Sequence, residues 1–129
     1  MKVFIADDSS VIRERLIEMI SEIEGIKVAG EATTAAEAVP LIIRLKPDVV
    51  ILDIRMPGGN GLSVLQAIRK TNLNMKVIML TNYPYPQYRQ KCNEAGADFF
   101  FDKDSEFKKV TETLKRLTAK ASNRAGENT

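Results

Sequence analysis

The sequence predicts an open α/β domain: a parallel five-stranded sheet, doubly wound, with five helices covering its faces. Five short apolar runs carry this reading, Val3–Ala6, Ile26–Ala29, Val49–Leu52, Val77–Leu80 and Phe99–Phe101. They are rich in β-branched and aromatic residues and too short for buried helices. Four of them are continuously apolar rather than alternating, as strands covered on both faces are. Segments of helical spacing separate them, so the order is βαβαβαβαβα with right-handed crossovers. Ligands in such sheets sit beyond the carboxyl ends of the strands, where the topology switches direction.

Each element has its own justification. After the first run, Ile12, Leu16, Met19, Ile20 and Ile23 share one helical face, with Arg13, Glu14, Glu18 and Glu22 elsewhere. Ser9 or Ser10 caps the start of this helix and Gly25 ends it. Lys27 interrupts the second run, which makes it an edge strand. Ala35–Leu45 reads as the second helix, kinked or shortened by Pro40. Gly61–Lys70 is the third, with Leu62, Leu65 and Ile68 inward. Pro86 suits the first turn of a fourth helix running to Glu94, closed by Gly96. Ser105 caps a fifth, which runs to Lys120 with Phe107, Val110, Leu114 and Leu117 as its apolar stripe. Residues 1–120 form one domain, and 121–129 form a small, polar, flexible tail.

Composition narrows the function classes. The 129 residues are 44% hydrophobic and 28% charged, the balance of an ordinary globular protein. A net charge of +2 gives no field that argues for nucleic acid or a membrane surface. The chain has no histidine. That excludes a His-dependent triad, imidazole metal ligands and a phosphohistidine of its own. The lone Cys92 cannot form an internal disulfide and reads as a small apolar side chain. No apolar run approaches a membrane span, and the N-terminus lacks a signal-peptide pattern. The expected location is the cytoplasm.

The strand ends hold the chemistry. Asp7 and Asp8 follow the first strand, Asp53 the third, Thr81 the fourth, and Lys103 comes just after the fifth. If the first and third strands are neighbours, three carboxylates share one crevice. Like charges at that range repel, so one stays protonated or a cation is present. Oxygen-only ligands favour a hard ion, and a few carboxylates with waters suit Mg²⁺ better than Ca²⁺. With a lysine and a hydroxyl added, the set makes a phosphoryl site in which one carboxylate attacks.

These residues resemble the receiver domain of bacterial two-component response regulators over about residues 2–118. The likeness rests on Asp7-Asp8, the segment Pro47–Gly58, Leu80-Thr81, the Gly96-Ala97-Asp98 turn and Lys103. It implies the flavodoxin-like receiver fold with strand order 2-1-3-4-5. It also implies that Asp53 accepts a phosphoryl group from a histidine kinase, and that Asp7, Asp8, Asp53 and the backbone carbonyl of Arg55 hold Mg²⁺. Thr81 and Phe100 match the switch hydroxyl and switch aromatic, and Lys103 the phosphate-binding lysine. Three departures stand out. Asp104 follows Lys103 where the family often has a cis proline, and a cis bond to another residue costs ~3 kcal/mol. Asn82 stands where many receivers have Ala or Gly, narrowing access to the acceptor. Phe100 replaces the commoner Tyr and removes a hydroxyl.

The expected function is a phosphoryl-accepting signalling switch rather than an enzyme, acting through protein contacts. Its expected partners are a histidine kinase or phosphotransfer protein and a downstream protein, with homodimers possible on phosphorylation. No direct nucleic-acid or membrane contact is expected. Two alternatives stay open: the truncated receiver portion of a DNA-binding regulator, and a small Mg²⁺-dependent aspartyl phosphatase. A flavodoxin-like electron carrier is disfavoured by the acidic pair where a flavin phosphate would bind.

Overall fold

The computed structural model describes residues 1–71 and 74–127, the last six of these as backbone only. Five parallel strands make one sheet in the order β2-β1-β3-β6-β7. They are β1 (Lys2–Ala6), β2 (Lys27–Ala32), β3 (Val49–Leu52), β6 (Lys76–Thr81) and β7 (Phe99–Asp102). This is the expected 2-1-3-4-5 order, renumbered by a short antiparallel pair, β4 (Arg55–Met56) and β5 (Gly59–Asn60). The pattern of apolar runs does not predict this hairpin. Gly58 in its turn and Gly59 at the start of β5 both carry positive φ, 75° and 138°, a conformation that glycine tolerates and side chains resist.

The helices are α1 (Ser10–Ser21), α2 (Ala35–Leu45), α3 (Gly61–Lys70), α4 (Pro86–Glu94) and α5 (Phe107–Glu127). Successive strand residues point to opposite faces, so each strand feeds two cores. Phe4, Val50, Leu52, Val77 and Met79 pack with Ala38, Ile42, Leu65 and Ile68 of α2 and α3. Val3, Ile5, Ile51, Ile78 and Leu80 pack with Leu16, Ile20, Val110 and Leu114 of α1 and α5. The central strands are buried on both faces, which is why their sequence runs are unbroken. β2 lies at the edge, as Lys27 suggests, and continues to Ala32 beyond its apolar run.

Local chemistry sets the helix ends. Ser9 caps α1 by accepting the Ile12 N–H at 3.3 Å, and Thr34 caps α2 by accepting that of Glu37 at 3.2 Å. Pro40 sits inside α2 without shortening it. The carbonyl it leaves unbonded is that of Ala36, and both residues are exposed, so water can satisfy it. Two expectations about α5 change. Ser105 is no cap, because its hydroxyl donates to the Asp102 carboxylate at 3.1 Å. The helix also runs through Glu127, making residues 121–127 helical where a flexible tail is expected. Ala119, Ala121 and Ala125 favour helix and no proline interrupts them. Asn128 and Thr129 of that tail lie outside the described residues.

One glycine joins the fold to the site. The Gly61 N–H, at the first residue of α3, donates to the Ile54 carbonyl at 2.7 Å. A Cβ at this position would overlap the main-chain carbonyl of Asp53. Gly61→Ala should therefore cost about 2–4 kcal/mol in urea unfolding, because backbone must move. A loss below about 0.5 kcal/mol, the range of ordinary surface changes, would show that the loop has room to spare.

Candidate functional site

Backbone pairing carries the strand ends into a common crevice. The Asp7 N–H donates to Ala32, that of Asp53 to Ala6 at 2.9 Å, and that of Lys103 to Thr81 at 2.9 Å. Each bond extends a parallel ladder one residue past the end of its strand, where the sequence has turned polar. Asp53 thereby stands beside the end of β1, and Lys103 beside the end of β6.

The side chains then meet. Lys103 Nζ lies 2.7 Å from Asp7 Oδ2 and 3.0 Å from Asp53 Oδ2. All three residues are buried, at 5%, 3% and 6% exposure, while Asp8 is exposed. One oxygen each of Asp7, Asp8 and Asp53 lies within 4.8 Å of the others. The remaining oxygens are held unequally. Asp7 Oδ1 accepts the Ser9 N–H at 2.9 Å, whereas Asp53 Oδ1 takes only a long bond from the Arg55 N–H, at 3.4 Å. Asp53 Oδ1 is the least committed buried oxygen of the site.

Electrostatics follow from this packing. Burial pushes the Asp53 carboxyl up from 3.8 to about 6; the Lys103 ammonium opposes the rise and the Asp7 carboxylate adds to it. Burial alone would lower Lys103, but its hydrogen bond to Asp7 and the attraction of both carboxylates outweigh that and raise it. Three carboxylates against one ammonium leave the crevice with excess negative charge and an all-oxygen donor set. A hard divalent cation fits that description.

The other expected residues are close by. Thr81 is fully buried, and its Oγ1 accepts the Tyr83 N–H at 3.0 Å. Asn82 is exposed at the rim. Arg55 begins β4 two residues past Asp53, its guanidinium 3.8 Å from the centroid of the Tyr83 ring. Phe100 is 9% exposed, with Arg89 over its ring at 4.6 Å and donating to its carbonyl at 3.3 Å. The Lys103–Asp104 peptide is trans, since no cis bond occurs among the described residues.

Two positioning residues escape a sequence reading. Gly61 allows α3 to approach the Asp53 backbone. Arg13 Nη1 donates to the Asp7 carbonyl at 2.8 Å while its Nε pairs with Glu31 at 3.3 Å. Arg13 looks like a wet-face residue of α1, and only the proximity of β2 reveals its task. A glycine directly opening a helix was the one available signal for Gly61.

The raised Asp53 pKa has a stability consequence. Between about pH 4 and 6 the folded chain holds a proton that the unfolded chain has released, so stability falls as pH rises through that window. In metal-free buffer at pH 7, Asp53→Asn should be more stable than the wild type by about 1–3 kcal/mol. Asp7 remains to pair Lys103 in that variant. Urea unfolding across the pH range should show the gap closing towards about pH 4. A variant no more stable at pH 7 would mean that the carboxylate is not strained by burial.

Comparison with known proteins agrees with the geometry. The response regulator receiver domain family matches residues 3–115. Chemotaxis protein CheY of Thermotoga maritima is 35% identical over 117 residues, covering 91% of this chain and 97% of that protein. Response regulator GacA of Pseudomonas aeruginosa is 28% identical, covering 92% of this chain but 56% of its own length. The chain spans little more than half the length of the first curated relatives it matches. Among solved structures, the response regulator domain of Thermotoga maritima CheB superposes with a TM-score of 0.82 at 32% identity, over 95% of this chain and 96% of that one. The chain belongs to the response regulator receiver domain family.

Proposed function

We propose that the chain is a phosphoryl-accepting switch of a two-component system, with Asp53 as the acceptor. The observation that carries this reading is the buried Lys103 shared by Asp53 and Asp7, with Asp8 alongside. Asp7, Asp8, Asp53 and the Arg55 carbonyl would hold Mg²⁺. When bound, that ion supplies a hard positive charge that neutralises the crevice and favours ionised Asp53.

The donor is a phosphohistidine on a kinase or phosphotransfer protein, since this chain has no histidine. Asp53 Oδ1 attacks phosphorus; the donor's N–P bond breaks as the new O–P bond forms, and the electron pair leaves with the imidazole. Lys103 already touches the acceptor carboxylate and is placed to pair with a phosphoryl oxygen. Thr81, at the neighbouring strand end, offers a hydroxyl to another. A new dianionic group thus draws Lys103 from the carboxylates and Thr81 from the Tyr83 N–H it accepts, and that rearrangement is the signal.

The output is contact with another protein, and the place of action is the cytoplasm. The chain covers only 55% of the DNA-binding transcriptional activator DevR/DosR of Mycobacterium tuberculosis, which favours one second reading, in which this receiver governs a DNA-binding portion of a longer regulator. Both readings share the same acceptor chemistry.

Brief incubation with a small phosphodonor and Mg²⁺, followed by intact-mass analysis, should add one phosphoryl mass to the wild type and none to Asp53→Asn. Equal gain in the variant would place the acceptor elsewhere. Chelating the metal should abolish the gain. Asp8→Asn, which leaves the buried pair in place, should weaken Mg²⁺ binding about tenfold or more by titration. An unchanged affinity would remove Asp8 from the metal site.

A further inference from the structure

The switch aromatic has little left to bury. Phe100 is only 9% exposed, and Arg89 already covers its ring. A more responsive element lies on the other side of Thr81. The Thr81 hydroxyl holds the Tyr83 N–H, so the backbone of the β6–α4 connection is tied to the switch oxygen itself. Tyr83 presents its ring to Arg55 at 3.8 Å, which bolts that connection to the β3–α3 connection across the site mouth. Tyr83 and Tyr85 lie 6.2 Å apart, and Tyr85 and Tyr88 5.7 Å apart, with Tyr85 the exposed member. Tyr88 and Arg55 line the same pocket.

We propose that Arg55 and Tyr83 form a latch on the unphosphorylated state, released when the Thr81 hydroxyl turns to a phosphoryl oxygen. Turning Thr81 breaks its bond to the Tyr83 N–H. Tyr83 then moves with its connection, and the Arg55 guanidinium loses the face on which it stacks. The cluster of Tyr83, Tyr85 and Tyr88 is the surface that reports the state of Asp53. This inference rests on the phosphoryl-acceptor reading and adds the route by which acceptance reaches the surface.

The composition supplies the probe. All three tyrosines of the chain belong to this cluster, and it has no tryptophan, so tyrosine emission reads this cluster alone. Adding beryllofluoride with Mg²⁺ to the full chain should change tyrosine emission. Thr81→Ala, which lacks the tie from the start, should show the shifted emission without the mimic. Linkage gives a second test: an interaction made only in the resting state opposes the ligand that leaves that state. Tyr83→Leu removes the ring but keeps both the N–H and the Arg55 charge. It should bind the mimic about two- to five-fold more tightly by calorimetry, the range of an exposed cation–π contact. Wild-type binding by calorimetry with unchanged emission, or a Tyr83→Leu variant that binds no tighter, overturns the latch and leaves the acceptor reading intact. A wild type that binds no mimic and gains no phosphoryl mass overturns both.

Discussion

A lysine buried between two carboxylates is the contact on which the rest of this molecule turns. Each member of the Asp7–Lys103–Asp53 trio would be expensive alone, because an isolated charge in a protein interior loses its water without compensation. Together they share hydrogen bonds of 2.7 and 3.0 Å inside a crevice walled by strand ends. The trio is nevertheless unbalanced. Asp53 keeps a raised pKa although Lys103 touches it, because burial and Asp7 outweigh that attraction. A site tuned for stability alone would match its charges. This one retains surplus negative charge, which a cation can relieve and a phosphoryl group can reshape.

The sheet makes that arrangement possible. β1 and β3 end level with one another, as do β6 and β7, and three ladders reach one bond further to fix Asp7, Asp53 and Lys103. Rigid scaffolding stops at that line. Beyond it lie connections braced by single contacts: Arg13 on the Asp7 carbonyl, Gly61 against the Asp53 backbone, and Arg55 stacked on Tyr83. The acceptor is anchored to strands, while the groups around it sit where movement is cheap. That division suits a switch, which needs a fixed chemical centre and an adjustable rim.

Much of this was legible in the sequence, and the pattern of failure is physical. Buried parallel strands must be apolar throughout, so the five runs announced themselves, and a charged residue at their ends had to be facing something. Asp7, Asp53 and Lys103 stand out that way, and the structure brings their side chains together, with Thr81 joined to Lys103 through the backbone. Their roles came from resemblance to a family, since spacing alone left the metal and the acceptor open. What stayed hidden depends on contacts distant in sequence. Arg13 needs Glu31 and the Asp7 carbonyl to explain it; nothing local separates it from a solvated arginine. Ser105 looked like a cap, yet Asp102 takes its hydroxyl. The small, polar residues after Lys120 read as a tail, although Ala121 and Ala125 favour the helix that forms.

The most direct test of the account is a carbon-detected NMR titration of the Asp53 side-chain carboxyl, with and without saturating Mg²⁺. A buried carboxyl beside Asp7 and Lys103 should titrate at about 6 in metal-free solution. Mg²⁺ should pull that midpoint down, because a bound cation favours the ionised form. A midpoint near the ordinary value of about 4, unmoved by Mg²⁺, would contradict the buried trio and the metal-assisted acceptor built on it.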